Sequence, residues 1–390
     1  MDTTRTPVLV VGAGLAGAAT SMFLADRGID PLVVERRLGT SLHTKAYGQN
    51  PRTMELLRAA GVADEVLAAN PLTASRLWDA LSPLPMGMAT QGQMELIMLG
   101  RARELGAQVR FDTELVSFKQ DTLGVSARLV HRPTGTLSQV RADYLVAADG
   151  RHADIVAHAW RSGRVFRAGG AAKMTPPTGG LSGDAAIGDG FDLAWKLAAV
   201  LRGQAGPALL DSYDPERRAV AELMAAESVG YMEIVFGIRQ RSEAVLIDDE
   251  DPAAVEDPHR PSGRPGFRAP HVPLRRDGVE VSTVDFFGRD WVLLTGTEGG
   301  VWHQAAKHVA ARLGLVVRTV GLGPGLTDPE DRLVRAYGIG HGGASLVRPD
   351  GVVAWRTDFE VADAAGTLQT VLTRLLDRVP IAAEPAGTAR

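Results

Sequence analysis

The chain of 390 residues contains no cysteine. Disulfides, thiolate metal sites and cysteine nucleophiles are therefore excluded. It also lacks any apolar run approaching the roughly 20 residues that a membrane-spanning helix requires. Aromatic residues are scarce, at 5%, and neither sign of charge dominates: 42 basic residues face 46 acidic ones, a formal net charge of −4. That balance gives no general attraction to nucleic acid or to an anionic membrane. No charged leader followed by an apolar stretch and a cleavage-type site precedes the first apolar run, so a cytoplasmic location is the expectation. What is present is an ordinary globular composition, 45% hydrophobic and 23% charged, on a chain long enough for one to three domains.

The informative residues begin at once. Pro7 to Val11 is a β-branched run of the kind that forms a buried parallel strand. Gly12-Ala13-Gly14-Leu15-Ala16-Gly17 follows, then a helix over Ala18 to Arg27 stopped by Gly28, then a second apolar run from Pro31 to Val34 that ends in Glu35. Each glycine has a physical task. Gly12 permits the turn out of the strand, Gly14 lets backbone approach a pyrophosphate, and Gly17 lets helix and strand pack closely. The free N–H groups and the positive end of the helix dipole face the phosphates. Glu35 accepts hydrogen bonds from ribose hydroxyls. A glycine fingerprint alone is weak; strand, helix, second strand and terminal acid together predict a dinucleotide site.

Further motifs lie downstream. Tyr144 to Ala148 reads as a strand ending in Asp149-Gly150, and Arg164 to Lys173 leads into Pro176-Pro177-Thr178-Gly179-Gly180. A helix over Ala185 to Leu201 follows, in which Trp195 and Lys196 read as packing and surface positions. With Gln49-Asn50-Pro51-Arg52-Thr53-Met54-Glu55-Leu56-Leu57 and Leu209 to Arg218, these segments make the chain resemble the class A flavoprotein aromatic hydroxylases. The likeness is to bacterial aromatic-polyketide hydroxylases of the aklavinone-hydroxylase kind, with the p-hydroxybenzoate-hydroxylase fold.

The resemblance implies an α/β protein: an FAD-binding Rossmann-like domain of glutathione-reductase type over 1–247, a linker over 248–273 and a thioredoxin-like α/β domain over 274–380. It implies FAD as cofactor, NADPH or NADH as reductant, and hydroxylation of a planar aromatic polyketide in antibiotic biosynthesis. Glu35 would bind the adenosine ribose and Arg36 would flank the adenine. Lys45 and Gln91 would lie near the ribityl chain and pyrophosphate. A loop from Pro177 through Gly180, Ser182 and Gly183 to Asp184 would wrap the isoalloxazine, and the helix after Gly183 would aim its N-terminus at the flavin pyrimidine edge. Asn50 before Pro51 is also simply a good helix start. Without cysteine the C-terminal domain cannot exchange dithiols; a packing or homodimer-supporting role is expected of it. His303 and His341 stand apart from any ligand-like spacing and read as structural or surface residues. No catalytic acid–base pair and no metal site is expected.

The chain also departs from that pattern. Only Arg151 to Gly163 joins Gly150 to Arg164, where the family carries a whole substrate-binding sheet domain. The stretches from Ala68 to Gln91 and from Ala226 to Gly237 read as shortened. Gly170 stands in place of a ribityl-binding Asp, Asp184 in place of an Asn beside the flavin, and Lys45 in place of an Arg. These departures motivate an alternative: a non-redox descendant that binds FAD or a polyketide and serves as cyclase, accessory subunit or scaffold.

Overall fold

A computed structural model describes residues 3–42, 48–70, 78–150, 159–173, 181–226, 234–328 and 330–378. β1 (Thr3–Val11) runs into the glycine loop and α1 (Leu15–Asp26), and β2 (Leu32–Val34) returns parallel to β1 with Leu9 opposite Leu32. α1 is apolar nearly all round and is correspondingly buried from Leu15 to Ala25. It starts three residues before the expected Ala18, because extended Gly14 already serves as its N-cap. Gly28, at a φ of +65°, ends it in the left-handed region that glycine favours.

α2 (Pro51–Ala59) is capped by Asn50, whose side chain accepts from the Thr53 N–H at 2.8 Å. α3 (Ala63–Ala69) follows, and α4 (Gln91–Glu104) opens on a Thr90–Gln93 capping box. β3 (Gln108–Arg110), β4 (Thr113–Asp121), β5 (Gly124–His131) and β6 (Thr136–Ala147) then complete the order β3-β2-β1-β6-β5-β4. β6 begins eight residues before the expected Tyr144. Its first half is claimed by antiparallel pairing with β5, while its second half runs parallel to β1. β7 (Arg161–Ser162) and β8 (Val165–Arg167) extend the sheet from β6. Among the described residues, two-residue β7 is the only strand between Gly150 and β8, so no second sheet rises there.

α5 (Leu181–Leu201) crosses α1 closely: the Phe23 and Phe191 rings meet edge-on at 4.6 Å, and a Cβ on Gly190 would lie 2.7 Å from the Thr20 nitrogen. α6 (Tyr213–Ala226) and α7 (Ile234–Gly237) follow. Residues 248–272 form no helix or strand, yet Arg239 holds Asp249 at 2.8 Å and Phe267 is fully buried.

The C-terminal part comprises β9 (Pro273–Arg276), β10 (Val279–Ser282), β11 (Trp291–Thr295), α8 (Gly300–Leu313), β12 (Val317–Gly321), β13 (Leu326–Thr327), α9 (Arg332–Tyr337), β14 (Ala344–Val347), β15 (Val353–Thr357) and α10 (Ala364–Leu375). The strand expected over Val281 to Phe287 stops at Ser282, where a Ser282–Asp285 capping box turns the chain into a 3-10 segment. The hairpin expected around Pro349-Asp350-Gly351 forms between β14 and β15. Four strands order as β12-β11-β14-β15, with α8 and α10 packed together beside them. The main core runs on from α1 and α5 into this part, with Trp195 edge-on to Trp291 at 6.2 Å.

Candidate functional site

At the glycine loop, two glycines are demanded by the protein itself. Gly12 has a φ of +102°, and a Cβ there would fall 2.4 Å from the Ala148 carbonyl oxygen. A Cβ on Gly17 would fall 1.9 Å from the Gly12 carbonyl oxygen. Gly14 differs: a Cβ there meets only Glu95 Oε1, at 3.9 Å. Packing therefore leaves Gly14 free to be any small residue, and its glycine is explained by a group that must approach the backbone from outside. The first N–H groups of α1, around Leu15 and Ala16, lack intrahelical acceptors by the geometry of any helix start. Glu35 closes the loop. Its Oε2 accepts from Ala13 N–H at 2.8 Å and its Oε1 from Arg37 N–H at 3.0 Å, at the end of β2 where a ribose would reach it. Arg36 lies beside it, its carbonyl accepting from Arg132 at 3.2 Å.

Gln91 is the first residue of α4. It donates to Glu95 Oε1 at 2.6 Å, and Glu95 Oε2 accepts from Ser41 N–H at 2.6 Å. Burial pushes the Glu95 carboxyl up, against these hydrogen bonds. The sequence reading passed over Glu95, although its spacing of four from Gln91 puts both on one helix face.

The far end of the site is arranged differently from expectation. α5 begins at Leu181, so Ser182, Gly183 and Asp184 belong to its first turn rather than to a preceding loop. Glycines make that segment read as a loop, but Gly183 and Asp184 are buried against α2. Asp184 Oδ2 accepts from Asn50 N at 3.3 Å and from Asn50 Nδ2 at 2.8 Å. Burial raises its pKa to about 7, with hydrogen bonds from Thr53 and Asn50 only partly opposing. Asp184 is thus only about half ionised near pH 7. Gly170 is exposed in the turn Gly169–Ala171. Beside it, Asp189 accepts from Gly169 N–H at 2.9 Å, Lys173 at 3.1 Å and Arg217 at 2.8 Å. Burial would raise Asp189, but Lys173 and Arg217 hold it low. Lys45, Pro177 and Gly180 lie outside the described residues.

Lys196 corrects the surface reading: it is wholly buried. It donates to Asp192 at 3.0 Å and to Glu216 at 2.8 Å. Arg348 and Asp350, in the β14–β15 turn, complete the cluster, with Arg348 grasping Glu216 through two nitrogens at 2.7 and 2.9 Å and also pairing with Asp350. Burial would raise Glu216, but Arg348 and Lys196 outweigh it and hold the carboxyl well below its usual range. Asp192, the odd acid among three carboxylates and two cations, is raised to about 6 by burial. The three acids lie close enough for a metal, but Lys196 and Arg348 already occupy them; this is an ion-pair brace. The same turn reaches α2, where Arg52 donates to the Asp350 carbonyl. A cavity of about 90 Å³ lies among Asn50, Arg52, Asp184, Asp192, Arg217 and Asp350. His303 and His341 bond only to Thr295 and Thr297, at 2.9 and 3.1 Å, consistent with structural roles.

The βαβ loop, the acid that closes it and the long helix α5 are the features of a dinucleotide-binding domain. The FAD binding domain family matches residues 5–156 and 151–228, and the aromatic-ring hydroxylase C-terminal family matches residues 262–379. The chain belongs to the FAD-dependent aromatic-ring hydroxylases, and FAD is its cofactor. It is 41% identical to an aklavinone 12-hydroxylase of Streptomyces purpurascens, over 97% of this chain and 100% of the relative. It is 30% identical to a tetracenomycin A2 monooxygenase-dioxygenase of Streptomyces glaucescens, over 100% of both chains. The crystal structure of aklavinone-11 hydroxylase with FAD and aklavinone superposes with a TM-score of 0.90 at 40% identity, covering 97% of this chain and 100% of the other. The first of these alignments spans 537 positions against the 390 residues present here, the difference being sequence that this chain lacks. Among the described residues no helix is long and apolar enough to cross a membrane.

Proposed function

We propose that the chain hydroxylates a planar aromatic polyketide in antibiotic biosynthesis, with NADPH or NADH as reductant. The 41% identity to an aklavinone 12-hydroxylase, over 97% of this chain, carries this reading and favours it over a non-redox scaffold. Bound FAD supplies the redox chemistry, taking electrons from a nicotinamide and activating dioxygen for an electron-rich ring. The residues of this chain bind and orient it. Backbone N–H groups from Gly12 to Gly17 and the α1 dipole take the pyrophosphate, and Glu35 takes the ribose with Arg36 alongside. Gln91 lies toward the same phosphates, with Lys45 assigned beside it. Ser182, Gly183 and Asp184 present the first turn of α5 to the flavin pyrimidine edge, with Pro177 and Gly180 preceding it. There the helix dipole favours negative charge, and Asp184 in its protonated form does not oppose it. Gly170 contributes backbone only to the ribityl region.

In this reading residues 1–247 form the flavin domain, 248–273 a linker, and 274–380 a thioredoxin-like domain that braces the first and can support a homodimer. Cytoplasmic residence accords with it. The test is a flavin spectrum of the purified protein, followed by NADPH and NADH consumption with and without an anthracycline-type aglycone. Oxygen insertion matched to reductant consumed is the expected result. Flavin uptake with reductant consumed only to reduce dioxygen to hydrogen peroxide, whatever aglycone is present, would overturn the hydroxylase reading.

A further inference from the structure

A second cavity, also of about 90 Å³, lies further along the same face of α5, toward its C-terminal end, at the seam between the flavin-binding part and the C-terminal sheet. Arg27, Trp195, Arg202, Gln204, Arg289 and Asp290 supply its polar lining, with Gln204 donating to the Gly314 carbonyl at 3.2 Å, and apolar groups such as Leu315 and Pro349 close it. Two buried donors here have no hydrogen-bond partner: Arg27 Nε and Trp195 Nε1. Arg27 is only 4% exposed and Trp195 2%. The other guanidinium nitrogens of Arg27 are used, Nη1 on the Phe23 carbonyl at 3.1 Å and Nη2 on the Gly288 carbonyl at 2.8 Å. The side chain is therefore fixed with one N–H left over. An indole N–H and a guanidinium N–H can only donate, so whatever satisfies them must accept. Leaving both buried and unpaired costs about 1–3 kcal/mol each.

The charge in the lining points the same way. Three arginines face a single carboxylate, Asp290, and among the described residues neither Arg202 nor Arg289 makes an ion pair. Arg27 and Arg202 follow the C-terminal ends of α1 and α5, where a cation offsets the helix dipole. That accounts for two of the arginines. It does not account for Arg289, which follows no helix, nor for the two orphaned donors. Burial, and then repulsion from Arg289 and Arg202, bring the Arg27 guanidinium down to about 10, with Asp26 and Asp350 opposing. Water could satisfy the donors singly, but three guanidiniums against one carboxylate in the lining favour an acceptor that is also an anion.

We propose that this cavity binds a phosphate-sized oxyanion, held by Arg27 and Trp195 from within and by Arg202 and Arg289 at its mouth. Because its walls come from both parts of the chain, the anion would tie α1 and α5 to the start of β11. Its source is either free inorganic phosphate or the phosphoryl group of a nucleotide.

The test uses the purified full chain. Inorganic phosphate is titrated at constant ionic strength, balanced with chloride, while melting temperature and tryptophan fluorescence are followed. A saturable rise in melting temperature with a matching fluorescence change is expected, since Trp195 and Trp291 both border the cavity. Arg27 is structural, so the discriminating variant is the double R202A/R289A, which removes two exposed side chains without ion pairs. It should fold as the parent does and bind phosphate at least about tenfold more weakly. W195F, which keeps an aromatic ring and removes the N–H, should also weaken binding. Competition by NADPH but not NADH would identify a nucleotide phosphoryl as the source, and competition by neither would identify the free oxyanion. Equal effects of phosphate and chloride, or undiminished binding by the double variant, would overturn the proposal and leave a water-filled seam.

Discussion

The two ends of the flavin site are built from different materials. At the adenosine end the geometry is fixed by backbone: Gly12 and Gly17 interlock with neighbouring carbonyls at distances no Cβ would tolerate, and the binding groups are N–H donors. At the α5 end the geometry is fixed by buried side-chain polarity. Asp184 ties α5 to α2 through Asn50, and Lys196, Glu216 and Arg348 tie α5 to α6 and the β14–β15 turn. The first end depends chiefly on shape. The second depends on charge, and the C-terminal part of the chain is a component of it. A protein can thus retain an intact nucleotide cradle while the other end of the cofactor site is retuned by a few ionisable groups.

The largest effect that separates the two ends should come from Gly17→Ala. A methyl group placed 1.9 Å from the Gly12 oxygen forces α1 away from β1, so both melting temperature and FAD uptake should collapse and the protein should purify colourless. Gly14→Ala sharpens the point. Its methyl has space, so thermal stability should stay near that of the parent while FAD affinity, measured by flavin fluorescence quenching, falls at least tenfold. If Gly14→Ala bound FAD normally, the pyrophosphate would not approach at Gly14. Next in size is Arg348→Met, which leaves Asp350 without its guanidinium partner and Glu216 with Lys196 as its remaining cation. Breaking a buried ion pair from one side costs about 3–5 kcal/mol, readable as a lowered urea midpoint. Arg348→Lys should recover only part of it, because an ammonium cannot span Glu216 and Asp350 as the guanidinium does. A variant as stable as the parent would mean that the brace carries no load.

The same contrast explains what the sequence disclosed. The adenosine end was legible because its constraints are local: a β-branched run, three glycines at fixed spacing and an acid after the second strand all lie within the first 35 residues. The cap at Asn50 was legible for the same reason. The start of α5 was not. Gly179, Gly180 and Gly183 argue for a loop, and only tertiary contact with Asn50, more than 130 residues away in sequence, keeps Asp184 in a helical turn. Lys196 passed for a surface lysine because its partners Glu216 and Arg348 come from two distant segments. The arginine-lined seam has no motif at all, since Arg27, Trp195 and Arg289 meet only in the folded chain. The segment after Gly150 reads as shortened from its length alone, 13 residues between Gly150 and Arg164.

A subtler separation of the two ends comes from pH. Asp184 titrates near 7 in the folded protein, raised by burial, against about 3.9 for an unperturbed Asp. Below about pH 4 the group is protonated in both folded and unfolded states, and its contribution is fully present. As pH rises toward 7, the unfolded chain ionises freely while the folded one resists, so stability is lost across that window. Asp192, raised to about 6, contributes in the same sense, and Arg52, Arg217 and Arg268 line the adjoining cavity as the nearby cations. Asp184→Asn removes one of the two acids. It keeps an acceptor for Asn50 and carries no charge at any pH, so it should be more stable than the parent at pH 8, by about 1–3 kcal/mol, and nearly equal to it at pH 4. FAD affinity should follow the α5 end and not the glycine loop: the parent should bind reduced flavin more weakly at pH 8 than at pH 6, and the Asn variant should bind it alike at both. A parent and variant with parallel pH profiles would show that Asp184 is already ionised in its pocket, and the distinction between a shape-built end and a charge-built end would then rest on the Arg348 brace alone.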